Sequence, residues 1–359
     1  MQGEKREKSV LVAMSGGVDS SVAAHIMLSR GFKCEGAIFK MYRGEGDVGQ
    51  GTDISDAEKV CSELDIPLFV VDFREDFKRE IVEKFIRVYE EGGTPNPCVD
   101  CNRTVKFGKL LDFARSRGLE YIATGHYARV EYSSDVERYQ LKKALSAEKD
   151  QSYVLCNLTQ DQLQRIIFPL GETDKSTVRS VAGKLGFDVA EKKDSQDICF
   201  IPDGDYAAFM ERYTGKKYPC GKFLDTAGNE IGDHRGAVRY TIGQRKGLRL
   251  AMGEPVYVCR KCMGDNTVTV GKEELLFKNT LIAKDFNWVS IPCPTGEIRA
   301  KAKARYRQSE AWATVRPLED GRVKITFDEP QRAMTTGQTA VIYDGDILLG
   351  GGVIESVED

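Results

Sequence analysis

Cys98 and Cys101 stand three residues apart in Thr94-Pro95-Asn96-Pro97-Cys98-Val99-Asp100-Cys101-Asn102-Arg103, a segment stiffened by two prolines. Asn102 has the side chain to cap a helix that follows, which puts Cys101 just outside a helix N-terminus with Arg103 and Lys106 close by. A thiol in such a place is predicted to have a lowered pKa and a raised thiolate fraction. A third cysteine, Cys199, lies far along the chain in Lys193-Asp194-Ser195-Gln196-Asp197-Ile198-Cys199-Phe200. The chain holds 10 cysteines, and in a reducing compartment closely spaced thiols serve metal binding or thiol chemistry more often than structural disulfides. Three thiolates, Cys98, Cys101 and Cys199, can hold a [4Fe–4S] cluster with one iron left open. A four-thiolate zinc site needs a fourth ligand that the sequence does not place. Cys259-Arg260-Lys261-Cys262 is a second Cys-x-x-Cys, expected at a hairpin turn and read as structural because no partner pair accompanies it. Cys34, Cys61, Cys156, Cys220 and Cys293 read as small apolar side chains.

The second chemical feature is Ser15-Gly16-Gly17-Val18-Asp19-Ser20-Ser21, between an apolar run and a helical pattern. Two glycines let the backbone turn sharply and approach an anion, and the helix N-terminus that follows offers N–H groups and partial positive charge. Ser15, Ser20 and Ser21 add hydroxyl donors. Asp19 would repel phosphate directly, so either a bridging Mg²⁺ or a helix-capping role is expected for it. The turn lacks the Gly-Lys-Ser/Thr of a Walker loop. It resembles instead the pyrophosphate loop of N-type ATP pyrophosphatases, which cleave ATP between the α- and β-phosphates and adenylate a carbonyl or carboxyl oxygen.

These residues need a scaffold, and the first two hundred residues alternate strand-like and helix-like periods. Strands are expected near residues 9–14, 34–39, 68–73 and 121–124. Helices are expected over residues 20–30 and 54–64 and along the Phe77, Ile81, Phe85, Tyr89 face, with Leu110 and Phe113 in another. Such alternation predicts an α/β fold, a parallel sheet with helices on both faces. After Pro202 the pattern changes. Residues 206–271 are rich in Gly, Lys and Arg with only short strand-like pieces, and from about Leu275 short strands separated by turns predict a small β-barrel or sandwich. The expected domains are residues 1–203, 204–274 and 275–359.

The 359 residues carry a formal net charge of −3, so any nucleic-acid surface must be local. Arg299, Lys301, Lys303, Arg305 and Arg307 alternate with Ala300, Ala302, Ala304 and Tyr306. As a strand this puts five cations on one face, roughly 6.6 Å apart, comparable to successive phosphates. A second cationic stretch, residues 234–249, holds Arg235, Arg239, Arg245, Lys246 and Arg249. No run approaches the roughly 18 apolar residues of a membrane span, and residues 1–8 form no apolar signal segment. No membrane association and a cytoplasmic location are expected.

Taken together, residues 15–21, 94–102, 124–129, 149–153, 194–200, 240–248 and 304–307 make the chain resemble the bacterial tRNA-specific 2-thiouridylases along nearly its whole length. The resemblance implies a PP-loop (adenine nucleotide alpha hydrolase-like) domain, a small linker domain and a C-terminal β-barrel. It implies ATP and Mg²⁺, with Ala13, Met14, Ser15, Gly16, Gly17, Val18, Asp19, Ser20, Phe39 and Gly125 around the nucleotide. It implies that Cys199 carries sulfur as a persulfide supplied by a cysteine desulfurase or relay protein, that Cys101 is the partner nucleophile, and that the two can form a disulfide. Asn96, Pro97 and Cys98 fall where the target base is held. His126, Lys149, Asp150, Gln151, Arg305, Tyr306, Arg307 and Gln338 fall where tRNA is held. The implied target is the 2-carbonyl of the wobble uridine in tRNAs for Lys, Glu and Gln. Adenylation turns its oxygen into a good leaving group that sulfur displaces. Many members have Asp where this chain has Cys98, which leaves the general acid/base unassigned. The alternatives are an ATP pyrophosphatase acting on another RNA or small-molecule carbonyl, including one that transfers nitrogen, and a non-catalytic, metal-stabilised RNA-binding protein.

Overall fold

The computed structural model describes residues 8–42, 50–187 and 198–358. Asp194 to Asp197, in the segment before Cys199, lie outside them.

Val10, Leu11 and Val12 are all fully buried in the strand Ser9–Ala13, as a parallel strand covered on both faces must be. The sheet order is Leu68–Asp72, Lys33–Lys40, Ser9–Ala13, Tyr121–Ala123, Ile166–Ile167, with every neighbour parallel. Val10 and Val12 pack with the helices Val18–Ser29 and Lys175–Lys184 on one face. Leu11 packs with Phe107, Leu110 and Ala114 on the other. Strand order reverses between Ser9–Ala13 and Tyr121–Ala123, and the crevice beyond their C-terminal ends is where open α/β sheets bind ligands.

The central region is more regular than its composition predicts. Tyr257–Cys262, Thr267–Gly271, Gly221–Leu224 and Glu230–His234 form a four-stranded sheet over Phe223, Tyr240, Val258 and Val268. Here Arg239 is ion-paired with Glu211 at 2.8 Å and His234 is buried, so the cationic stretch is less free than its sequence suggests.

Six strands, Phe277–Trp288, Val323–Arg332, Ala311–Pro317, Ile298–Lys303, Thr339–Asp344 and Ile347–Glu358, close into a barrel through pairing of the first with the last. Closure removes the exposed edges. The hairpin Ala128–Ser133/Arg138–Lys143 extends this sheet by pairing Leu141 with Leu348, so residues next to the phosphate crevice are fastened to the barrel.

The expected five-cation strand face is corrected. Ile298–Lys303 ends at Lys303, and the chain then turns. Arg305 points inward, its Nη2 donating to the Ile242 carbonyl at 3.1 Å and the Thr335 hydroxyl at 2.7 Å. Arg299 is ion-paired with Asp328 at 2.6 Å. A carboxylate from the next strand but one neutralises what alternation alone reads as a free cation.

Candidate active site

Gly16 adopts φ 69°, which disfavours any residue with a side chain, and Gly17 follows extended at φ −111°, ψ 163° as the N-cap of Val18–Ser29. Two expected hydroxyl donors are turned away from the anion site. Ser20 Oγ donates to the Gly17 carbonyl at 2.9 Å and accepts from Ser15 N at 3.1 Å, and Ser21 Oγ donates to Gly17 at 3.1 Å. These serines shape the turn, and the first backbone N–H groups of the helix remain for phosphate. Met14 and Val18 are buried, so only their backbone can meet a nucleotide. Ala13 pairs with Ala37, and Phe39, two residues further along that strand, sets its ring 5.3 Å from Phe73 beside the crevice. A Cβ on Gly125 would lie 2.8 Å from the Asp19 carbonyl carbon and 2.9 Å from Ser20 N, so glycine lets this loop close against the phosphate helix.

Asp19 does not cap the helix, whose N-cap residue is Gly17. Its two carboxylate oxygens each lie 2.8 Å from Lys175 Nζ, and one also accepts from the Tyr127 hydroxyl at 2.8 Å. Lys175 and Tyr127 are site residues that sequence reasoning missed. Lys175 is 156 residues from Asp19, and nothing local announces the pair.

The helix expected after Asn102 begins earlier. Pro97 opens it at Pro97–Cys101 with Asn96 as N-cap residue, and it continues unbroken through a π-helical segment, Asn102–Lys109, into Leu110–Ser116. Proline fits a first helical turn because that N–H lacks a partner anyway. Asn102 is therefore internal and buried, its amide donating to the Val154 carbonyl at 2.9 Å. Cys101 is also internal, 7% exposed among Ile81, Phe85, Val105 and Phe200. Burial pushes its thiol up to about 12, opposed by Lys106, which reverses the expected lowering. Cys98, one turn earlier, has an exposed side chain, yet burial around its thiol also raises its pKa against the pull of Lys106.

Cys199 is exposed and comes within electrostatic reach of both Cys98 and Cys101. Phe200 anchors it, fully buried with ring centroids 5.5 Å from Phe77 and 5.3 Å from Phe85 and Phe209. Lys106 also acts on His126, which burial holds well below its usual pKa and whose Nδ1 is 2.8 Å from the Thr124 hydroxyl. His126 is therefore neutral at pH 7, its ring 5.5 Å from Phe107. His126 directly follows Gly125, so the thiols and the phosphate turn adjoin through Lys106 and His126.

The remaining residues gather at the barrel side. Gln338 Nε2 donates to the carbonyls of Thr94 at 2.9 Å and Pro95 at 3.3 Å. Asn96 bonds the buried Tyr153 hydroxyl, which donates to the Thr339 carbonyl at 2.7 Å. Tyr306 is exposed, 5.5 Å ring to ring from Tyr153, and faces Cys98 and Asp150. Arg307 is exposed nearby. Asp150 accepts from Ala144 N, Ser152 N and the Ser152 hydroxyl, and Gln151 Oε1 accepts from Tyr127 N at 2.9 Å, so both brace the crevice wall. Lys149, half-buried, lies beside them. Arg305, by contrast, is committed to the interior.

Residues 8–203 match the family described as tRNA methyl transferase HUP domain, residues 207–272 the tRNA methyl transferase PRC-barrel domain and residues 278–354 the aminomethyltransferase beta-barrel domain. The chain is 46% identical to the tRNA-specific 2-thiouridylase MnmA of Acetivibrio thermocellus, over 97% of this chain and 99% of that one. It is 47% identical to that of Treponema denticola, over 97% and 98%. It is 44% identical to that of Clostridioides difficile, over 97% and 98%.

Proposed function

The chain belongs to the family of tRNA-specific 2-thiouridylases, and from that premise we propose how its residues divide an ATP-dependent sulfur transfer to tRNA. The enzyme is a sulfurtransferase that uses ATP. The phosphate turn at residues 15–20 binds the nucleotide through backbone N–H groups, with Phe39 and Gly125 shaping the pocket. The 2-carbonyl of the wobble uridine in tRNAs for Lys, Glu and Gln attacks the α-phosphate, and pyrophosphate leaves. Cys199 brings sulfane sulfur, loaded by a cysteine desulfurase or relay protein. That sulfur attacks C2, AMP leaves, and a thiol on the helix Pro97–Cys101 releases the thiocarbonyl by forming a disulfide with Cys199. The resemblance assigns that thiol as Cys101.

The observation that carries this proposal is the convergence of Cys199 on Cys98 and Cys101, joined to the phosphate turn through Lys106 and His126. Asn96, Pro97 and Tyr306 surround the thiols where a flipped base enters. Half-buried Lys149, exposed Arg307 and other cations meet the backbone. Asp19 is engaged by Lys175, and Mg²⁺ enters with the nucleotide phosphates. Among the described residues no group of three or more His, Cys, Asp or Glu side chains is placed to hold a metal, and Cys98, Cys101 and Cys199 are all among those residues. No step of the transfer runs through an iron–sulfur cluster. The units assigned to catalysis and tRNA binding are residues 1–203, 204–274 and 275–359. No helix among the described residues is long and apolar enough to cross a membrane, and the reaction belongs in the cytoplasm, where tRNA and ATP are.

The test is mass spectrometry of tRNA nucleosides after incubation with ATP, Mg²⁺ and a persulfide source. Formation of 2-thiouridine by the wild type and its loss in Cys199→Ser is the expected result. A Cys199→Ser enzyme that still thiolates tRNA would overturn the assignment.

A further inference from the structure

Two thiols on one helix face Cys199, yet the sulfur transfer just described uses only one. The two differ in access. Cys98 is exposed, as is Cys199, whereas Cys101 is 7% exposed beneath Phe85, Val105 and Phe200. Three residues apart in a helix, their Cα atoms are about 5 Å from each other, within the span of a disulfide. Resting on the sulfur-transfer function proposed above, we propose that Cys98 is the thiol that attacks the sulfur-loaded Cys199, and that Cys101 resolves the product as the second half of a Cys98–Cys101 dithiol couple.

The steps balance. Sulfane sulfur on Cys199 bonds to C2 of the adenylated uridine as AMP leaves. The Cys98 thiolate then attacks Cys199 Sγ. The bond between the two Cys199-derived sulfurs breaks, its electron pair goes to the outer sulfur, which becomes the thiocarbonyl, and a Cys98–Cys199 disulfide forms. Cys101 attacks Cys98 Sγ, and its proton passes to the departing Cys199 thiolate. The sulfane sulfur has been reduced and two thiols oxidised, and an external dithiol returns the Cys98–Cys101 disulfide to thiols. Burial suits Cys101 to the second step. Burial raises both thiols, Cys101 to about 12, and Cys101, lacking the open surface of Cys98, needs a disulfide already held against it to react. Cys199, released as a thiol at the surface, is ready to be reloaded.

The test uses full-length enzyme loaded with persulfide and mixed with ATP, Mg²⁺ and unmodified tRNA without reductant. Samples are quenched with an alkylating agent, digested with trypsin and weighed. Cys98 and Cys101 share the peptide 88–103, and Cys199 lies in 194–212. The wild type is expected to yield one 2-thiouridine, an unalkylated peptide 88–103 lighter by two hydrogens, and an alkylated Cys199. Cys101→Ser is expected to complete that one turnover and stall with peptides 88–103 and 194–212 cross-linked through Cys98. Cys98→Ser and Cys98→Ala are both expected to slow the first turnover at least 100-fold while persulfide loading and tRNA binding persist, which separates lost attack from lost folding. A Cys98 variant that thiolates at the wild-type single-turnover rate, with Cys101 cross-linked to Cys199, would overturn the proposal while leaving the sulfur-transfer function intact. Absence of 2-thiouridine from the wild type would instead refute that function, and this proposal with it.

Discussion

The side-chain amide of Gln338 donates to the Thr94 carbonyl at 2.9 Å, joining residues 244 apart. The contact is one of several. Thr94 N donates to the Thr336 carbonyl at 2.8 Å, and a Cβ on Gly337 would fall 3.1 Å from the Thr94 backbone. The C-terminal barrel therefore grips the segment that starts the cysteine helix two residues before Asn96. Arg305, bonded to Ile242 and Thr335, ties the central sheet into the same junction.

Gln338→Ala removes two of the hydrogen bonds that hold this loop, leaving the Thr94 N bond to the Thr336 carbonyl in place. Each is worth about 1 kcal/mol. Single-turnover thiolation is expected to slow roughly tenfold, because small misplacements of reacting groups are costly. Amide exchange over residues 94–101 should quicken in parallel. An unchanged exchange pattern with weakened tRNA binding would mean that Gln338 acts on RNA instead.

Lys175→Met leaves the Asp19 carboxylate without its cation beside the phosphate turn. An uncompensated anion there opposes ATP by on the order of 1–3 kcal/mol, so KM for ATP should rise by about tenfold or more. The double variant Asp19→Asn, Lys175→Met removes the stranded charge and should recover most of the loss. ATP titration of tRNA-dependent pyrophosphate release measures both.

Gly125→Ala places a methyl group 2.8–3.0 Å from Asp19 and Ser20 backbone and side-chain carbons and nitrogen that cannot easily move. Nucleotide protection against thermal unfolding should fall sharply, while the melting temperature without ATP drops by only a few degrees.

Buried thiols give stability a defined pH dependence. Desolvation raises Cys34 and Cys61 to about 11 and Cys101 to about 12 in the folded chain. Each stays protonated when folded and ionises near 9 when unfolded, so the unfolded state binds fewer protons above that pH. Their contribution is complete below pH 9 and lost as pH rises toward 11–12. The urea midpoint should fall between pH 9 and 11, and Cys61→Ala should flatten part of that slope, allowing for its own cavity cost.

Two cations that alternate on one barrel strand should differ in RNA binding. Lys301 lies 5.6 Å from the exposed Trp312 ring, while Arg299 is held by Asp328 at 2.6 Å. Lys301→Ala should weaken tRNA binding and lower the slope of log K against log salt by about one. Arg299→Ala should change both less. Equal effects would show that the Asp328 pair opens on RNA.

The sequence by itself determined the motifs and the layering. Buried apolar runs, glycine-rich turns and helical spacing are local, so the parallel sheet, the phosphate turn and the closing barrel strands were legible from residues near one another. The segments around Cys98, Cys101 and Cys199 singled out these thiols as candidates. Only the tertiary structure decided their chemistry. Asn102 looked like a cap until Pro97 began the helix earlier and turned Cys101 into the core, where desolvation outweighs the cation at Lys106. Asp19 looked like a helix cap until Lys175 arrived from another helix, and Arg299 and Arg305 looked free until Asp328 and Ile242 met them. Charge and burial depend on neighbours brought together by packing, and those neighbours lie dozens to hundreds of residues away in the chain.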